Sequence, residues 1–244
     1  MRSLSATELL TVWEQGLTQS WVQRGLSLLA FVHPDRSWEQ LAHISIGNRD
    51  RSLLHLRESL FGTQMASVVD CPVCRDRLEL NFSMTDIVLP SATATPDIIT
   101  TTIEDYQIQF HLPTSSDLIN VINQTDAEMM QRRLLERCLV QIQHQDDTVS
   151  IEALPASTIT AIATAMAQAD PQADVELTLS CPACQHHWQA PFDIVSFLWN
   201  ELQHWAQRLL RTIHVIASAY GWFEANILAM SHQRRSHYLE MIGK

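Results

Sequence analysis

The sequence predicts a predominantly helical α+β fold: a small β unit split into two halves, an α/β module inserted between them, and a long C-terminal helix. Three observations carry this. Apolar residues step by threes and fours through most of the first sixty residues and the last fifty. The apolar period changes to two in two short stretches far apart in the chain. Each of those stretches carries a Cys-Pro-x-Cys.

The N-terminal helices come first. Ser5 followed by Glu8 is a capping box ahead of Leu9, Leu10, Trp13 and Leu17. A second apolar run, Leu26 to Val32, stops before Pro34. A third helix is expected from Asn48, burying Leu53, Leu56, Leu60 and Phe61 and ending at Gly62. These make a helical module over residues 1–65. Over residues 66–90, Leu78, Leu80 and Phe82 alternate with Glu79 and Asn81. The pattern returns over 173–193, where Val175, Leu177 and Leu179 alternate with Glu176 and Thr178 before a Trp188 to Ala190 segment.

The stretch between, 91–172, opens on a polar linker with Ser91, Thr93, Thr95 and Pro96. A short strand follows at Tyr106, Ile108 and Phe110, then a turn from Pro113 to Ser116. Helices are expected over Asp117 to Asn123, Ala127 to Gln141 and Pro155 to Ala169. The last segment, 194–244, holds the strongest helical pattern: Leu198, Leu202, Trp205, Leu209, Ile213, Ile216 and Tyr220, closed by Gly221. Two short helices should follow, Phe223 to Met230 and His232 to Ile242, the second capped by Ser231.

Composition narrows the function. A formal charge of −11 disfavours general attraction to nucleic acid. The six glycines include no Gly-x-Gly, which removes the usual nucleotide-cradling loops. Fifteen of the sixteen basic residues are Arg, suited to carboxylate partners and protein interfaces, although coding bias gives the same skew. Glu8 and Glu14 interrupt any N-terminal export signal. The apolar stretch Ile194 to Ala219 contains Glu201, Arg208 and Arg211, so it lacks the roughly 18 clean residues of a membrane span. A soluble cytoplasmic protein is expected.

Cys71-Pro72-Val73-Cys74 and Cys181-Pro182-Ala183-Cys184 are the sharpest signal. A Cys-x-x-Cys on a tight knuckle aims two thiolates at one point, and two knuckles complete the tetrahedron that zinc prefers, at about 2.3 Å per sulfur. The expectation is therefore a split four-cysteine zinc ribbon with a structural Zn²⁺ held by Cys71, Cys74, Cys181 and Cys184. The 106 residues between Cys74 and Cys181 far exceed the loop of a compact ribbon. Loop-closure cost grows only logarithmically, so such an insertion is tolerable and the metal becomes a staple. Disulfide or redox pairing is the competing reading, and His186 or His187 replacing a thiolate is a lesser one. Four thiolates leave no open position for water, and no His-Glu-x-x-His exists, so no catalytic residue or small-molecule substrate is assigned. Cys138, alone on a helical stripe, reads as a buried small hydrophobe. Gln185 follows Cys184 where zinc ribbons usually carry Gly, which asks for an unusual backbone there.

The C-terminal strings Pro191-Phe192-Asp193-Ile194, Phe197-Leu198-Trp199, Glu201-Leu202 and Ala206-Gln207-Arg208-Leu209-Leu210 resemble proteins encoded beside contractile-tail and injection-system genes. Tyr220-Gly221-Trp222, Ile227-Leu228-Ala229, Arg234-Arg235 and Tyr238-Leu239 resemble the close of baseplate proteins related to the T-even phage baseplate hub assembly chaperone family. The resemblance extends back through Ile46-Gly47-Asn48-Arg49-Asp50, Leu53-Leu54, Leu56-Arg57, Leu60-Phe61-Gly62 and Leu112-Pro113-Thr114-Ser115. It implies a non-catalytic assembly factor or structural component of the baseplate hub of a contractile phage tail or phage-tail-like injection system. Its partners would be baseplate, hub or spike proteins. Trp199, Trp205, Trp222, Arg234 and Arg235 are the candidate partner-binding residues; core packing is the plainer reading of each tryptophan, and for the two arginines carbonyl capping at a helix end is an alternative and a solvated face the plainer reading. The alternative is a zinc-ribbon nucleic-acid-binding or transcription-associated protein using Arg75 and Arg77.

Overall fold

Helix starts in this chain are set mostly by Ser, Thr and Asp. The computed structural model describes residues 5–89, 96–122, 124, 126–145 and 147–243. Helix α1 (Ala6–Gly16) opens with the expected capping box, Ser5 Oγ accepting the Glu8 N–H while the Glu8 carboxylate accepts the Ser5 N–H. Ser20 with Gln23 and Ser37 with Gln40 do the same for α2 (Trp21–Val32) and α3 (Trp38–Ala42). Helix α4 (Ile46–Phe61) begins two residues earlier than its apolar pattern suggests, because Ser45 Oγ accepts the Asn48 N–H. It buries Leu53 and Leu56, leaves Leu60 and Phe61 half-buried, and ends at Gly62 with φ of 87°.

Strands β1 (Gln64–Asp70) and β2 (Arg77–Ser83) form an antiparallel hairpin, Gln64 opposite Ser83 and Asp70 opposite Arg77, followed by the single turn α5 (Met84–Ile87). The linker residues Ser91, Thr93 and Thr95 lie outside the described residues, as does Asn123, the expected end of a helix.

The intervening region contains more sheet than its sequence suggests. Strands β3 (Ile99–Ile103) and β4 (Tyr106–Phe110) are followed by α6 (Ser115–Val121) and α7 (Ala127–Cys138). Then come β5 (Leu139–His144), the two-residue β6 (Asp147–Thr148) and α8 (Ala156–Ala169). The strands form one antiparallel sheet in the order β3-β4-β5-β6. The helix expected to run to Gln141 stops at Cys138. From Leu139 the chain pairs with β4, where the β-branched Val140 and Ile142 suit a pleated surface better than a helix. Ile108, Phe110, Leu135, Cys138, Ile142, Ile162 and Met166 fill the core between sheet and helices. Cys138 packs there as the small hydrophobe expected.

The second hairpin, β7 (Glu176–Ser180) with β8 (His187–Pro191), leads into α9 (Ile194–Tyr220). Asp193 accepts the Val195 and Ser196 N–H groups at the start of α9, and Gly221 closes it in the left-handed conformation, φ 67°. Helices α10 (Glu224–Leu228) and α11 (His232–Ile242) follow, the latter capped by Ser231 as expected. The first half of α9 buries Val195, Leu198, Trp199 and Leu202 in the core of α1, α2 and α4. Its second half buries Leu209, Ile213 and Ile216 against Leu10 and the terminal helices. At about 1.5–3 kcal/mol per fully buried aliphatic side chain, α9 is the element on which both cores depend.

The inserted sheet and helices are joined to the N-terminal helices at the start of α4. Asp170 Oδ2 accepts the Gly47 N–H at 2.8 Å, placing a carboxylate at the positive end of that helix. A side chain at position 47 would overlap the Asp170 carboxylate, so the contact requires glycine. The Ile46 N–H donates to Pro113 O at 2.9 Å, and Gln172 bonds both Ile87 O and the Leu89 N–H.

Candidate metal centre

The two hairpins are separate two-stranded sheets that meet at their tips. Each tip has the same local bonding. The Cys71 N–H donates to Asp76 O and the Arg75 N–H to Cys71 O, both at 2.9 Å. The Cys181 N–H donates to His186 O at 2.9 Å and the Gln185 N–H to Cys181 O at 2.8 Å. The residue after each second cysteine is left-handed, Arg75 at φ 61° and Gln185 at φ 59°. The unusual backbone expected at Gln185 is therefore present, and Arg75 shares it.

These knuckles bring four thiols together across more than a hundred residues. Cys71 Sγ lies 3.7 Å from Cys184 Sγ, and Cys74 Sγ lies 3.5 Å from Cys181 Sγ. All four sulfurs fall within 4.8 Å of one another, and all four cysteines are free thiols. A tetrahedral ion at about 2.3 Å from each sulfur spaces its ligands about 3.8 Å apart, so the set could hold one metal ion. Cys71 and Cys181 are buried with Leu78, against Val69 and Trp188, while Cys74 and Cys184 are exposed. His186 stacks on Trp188, ring centroids 5.8 Å apart, and neither His186 nor His187 joins the four sulfurs.

Backbone N–H groups favour thiolate at Cys71, whereas burial and the facing thiols favour the protonated form at Cys74 and Cys184. Burial acts to raise the Cys71 thiol, but the N–H groups of Cys74 and Val73 and the neighbouring thiols outweigh it and bring it down to about 7. At Cys74 the Asp76 N–H pulls the other way, yet burial and the three facing thiols push it up to about 12. Four thiols this close do not all ionise on their own charge. A divalent cation is what makes four thiolates at one point favourable.

A second cluster, His111, Asp117 and Cys138, also has ligand-type atoms within 4.8 Å. Its groups are already engaged. Asp117 accepts from the Thr114 N–H and hydroxyl and from Arg137 Nε, and the His111 ring nitrogens lie 3.0 Å from the carbonyls of Leu112 and Arg137. Burial, together with the Asp117 charge, pushes the Cys138 thiol up to about 12. The cluster is a joint between α6 and the end of α7.

With the geometry in place, the sequence model of the T4 bacteriophage base plate protein family matches residues 30–199, well over half of the chain. The chain belongs to that family. No curated protein and no solved structure matches it. The region that makes this a base plate protein spans both cysteine pairs, the inserted sheet and helices, and the first turns of α9. The strings from Glu201 onward that resemble such proteins lie beyond the matched residues.

The candidate partner-binding residues of the base plate protein are scattered by the fold. Trp199 is 3% exposed, packed against Gly16 and under the Arg24 guanidinium at 4.5 Å, and so belongs to the core. Arg235 is buried too, and its guanidinium donates to the carbonyls of Ile227, Leu228 and Met230, the capping role. Both side chains are packed inside the molecule. Trp205 is half-buried between the two cores of α9. Trp222 stacks on Tyr220 at 4.7 Å and meets Tyr238 edge-on, with Arg234 exposed beside Tyr238. Among the described residues no helix is long and apolar enough to cross a membrane.

Proposed function

We propose that this base plate protein is a non-catalytic assembly factor or structural component of the baseplate hub of a contractile phage tail or tail-like injection system. It acts by binding hub or spike proteins while a structural Zn²⁺ on Cys71, Cys74, Cys181 and Cys184 holds its two hairpins together. The family match over residues 30–199 carries the reading. Four converging sulfur donors without an open position suit a structural zinc ion, which supports that part of the reading. The metal supplies cross-linking of remote chain segments. The chain itself supplies the N–H donors that favour thiolate and the left-handed turns that aim the sulfurs. Trp205, Trp222 and Arg234, the candidates that are not buried, are its proposed partner contacts.

Co-expression with the tail and baseplate proteins of its own particle, followed by affinity purification through this chain, tests the proposal. A stoichiometric complex with a hub or spike protein is expected. Its presence in finished particles makes it a component, and its loss on maturation makes it an assembly factor. Clean chain recovered from cells that build the whole particle overturns the reading, as does salt-sensitive nucleic-acid binding lost on replacing Arg75 and Arg77.

A further inference from the structure

An open cleft of about 1020 Å³ lies between the N-terminal helices and the inserted sheet and helices. Its lining gathers basic groups that the sequence scatters: His33, Arg36, His43, Arg51 and His55 from the helical side, and Arg137 and His111 across from them. The opposing carboxylates are few. Asp117 is consumed by Thr114 and Arg137, Glu58 sits 3.7 Å from His55, and Asp97 is the one exposed carboxylate among the described lining residues. In a chain of net charge −11 this is a local reversal of sign.

Two of the arginines keep unused donors. Arg36 is exposed and makes no ion pair among the described residues. Arg51 spends one nitrogen on Leu89 O at 3.0 Å, while its Nε is buried with no partner among the described residues. A guanidinium with donors to spare at a cleft wall gains from a carboxylate oxygen brought to it. Guanidinium forks match carboxylates in two-point geometry.

We propose that this cleft takes a short acidic peptide segment of another base plate protein, its Asp and Glu side chains reaching Arg36 and Arg51 with His33 and His55 flanking. The proposal rests on the base plate reading and deepens it. Charge extent selects the occupant. A long polyanion carries its charge past the cleft onto the rest of a chain of net charge −11, whereas a short segment keeps its charge within about one screening length, roughly 10 Å at 0.1 M salt.

Fluorescence anisotropy on the full chain tests it with three labelled probes of equal length: a deca-glutamate peptide, a deca-glutamine peptide and a single-stranded DNA decamer. The glutamate peptide is expected to bind best and to weaken with salt. The Arg36→Gln/Arg51→Gln pair is expected to weaken it about tenfold or more, and Arg75→Gln/Arg77→Gln, with the same charge change at the knuckle, less than about twofold. Because Arg51 is half-buried, Arg36→Gln/His55→Gln serves as a second variant, checked for an unchanged thermal melt, and is expected to weaken binding severalfold. Equal loss from the knuckle variant, tighter binding of DNA, or no preference for glutamate over glutamine overturns the proposal. Co-purification with base plate proteins is read separately, so loss of the cleft interaction and loss of the base plate role are distinguishable.

Discussion

At the scale of single residues, conformation and burial decide more than sequence motifs reveal. Gln185 sits at φ 59°, where a side chain costs roughly 1–2 kcal/mol relative to Gly. Gln185→Gly is expected to raise stability by about 1 kcal/mol in chemical denaturation with the metal content unchanged. A drop in stability would show that the side chain, and not the turn, matters there. Asp50 is a second case, buried beside Arg49. Burial pushes its carboxyl from 3.8 up to about 6, against the pull of Arg49 and with help from Asp193 and Asp170. A raised folded-state value means that the folded chain holds the proton more tightly. Asp50 therefore lowers stability as pH rises from about 4 to about 6, by on the order of 2–3 kcal/mol. Asp50→Asn is expected to remove that component, so the difference between the two proteins' stabilities should grow over this interval and level off above it. A difference that stays flat from about pH 4 to 7 would contradict the burial argument.

At the scale of elements, the helices were legible because their caps and apolar steps agree. Ser5 with Glu8, Gly62, Gly221 and Ser231 mark ends that the structure reproduces within a residue or two. The sheet of the inserted region was less so. β3 and β5 are short and mix Thr or Gln with Ile, and β5 follows α7 without a turn signal, so local periodicity could not separate strand from helix there. The attachment of α4 to α9 was invisible for another reason. Arg57 Nε and Nη2 donate to both carboxylate oxygens of Glu201, at 2.8 and 2.7 Å, across 144 residues, and no local pattern encodes such a pair. With Arg57 2% exposed, Glu201→Ala strands a buried guanidinium. It is expected to cost about 3 kcal/mol in urea unfolding, and Arg57→Met/Glu201→Leu less than the sum of its single changes. A cost near zero for Glu201→Ala would show that the pair is solvated and structurally idle.

At the scale of the whole molecule, the four cysteines were readable from spacing, and their convergence follows from two hairpins with the same turn geometry. The cleft of histidines and arginines was not readable, because its residues come from positions 33 to 137 and only the packing of the insert on α4 assembles them. The tryptophan face was ambiguous for a related reason: an apolar face wide enough for an interface is also wide enough for two cores, and Trp199 packs in the first. The cysteine cluster joins the two ends of the inserted region, so stability should depend on it strongly. Chelation is expected to lower the melting temperature, with added zinc restoring it.

The most direct test is metal content with thiol count on protein purified without reducing agent. One zinc per chain is expected, retained by Cys138→Ser and lost equally in Cys71→Ser and Cys181→Ser, which lie in different hairpins. A chain without metal in which Cys71 is oxidised to Cys74 and Cys181 to Cys184, or one in which only one pair matters for zinc, would contradict the shared site.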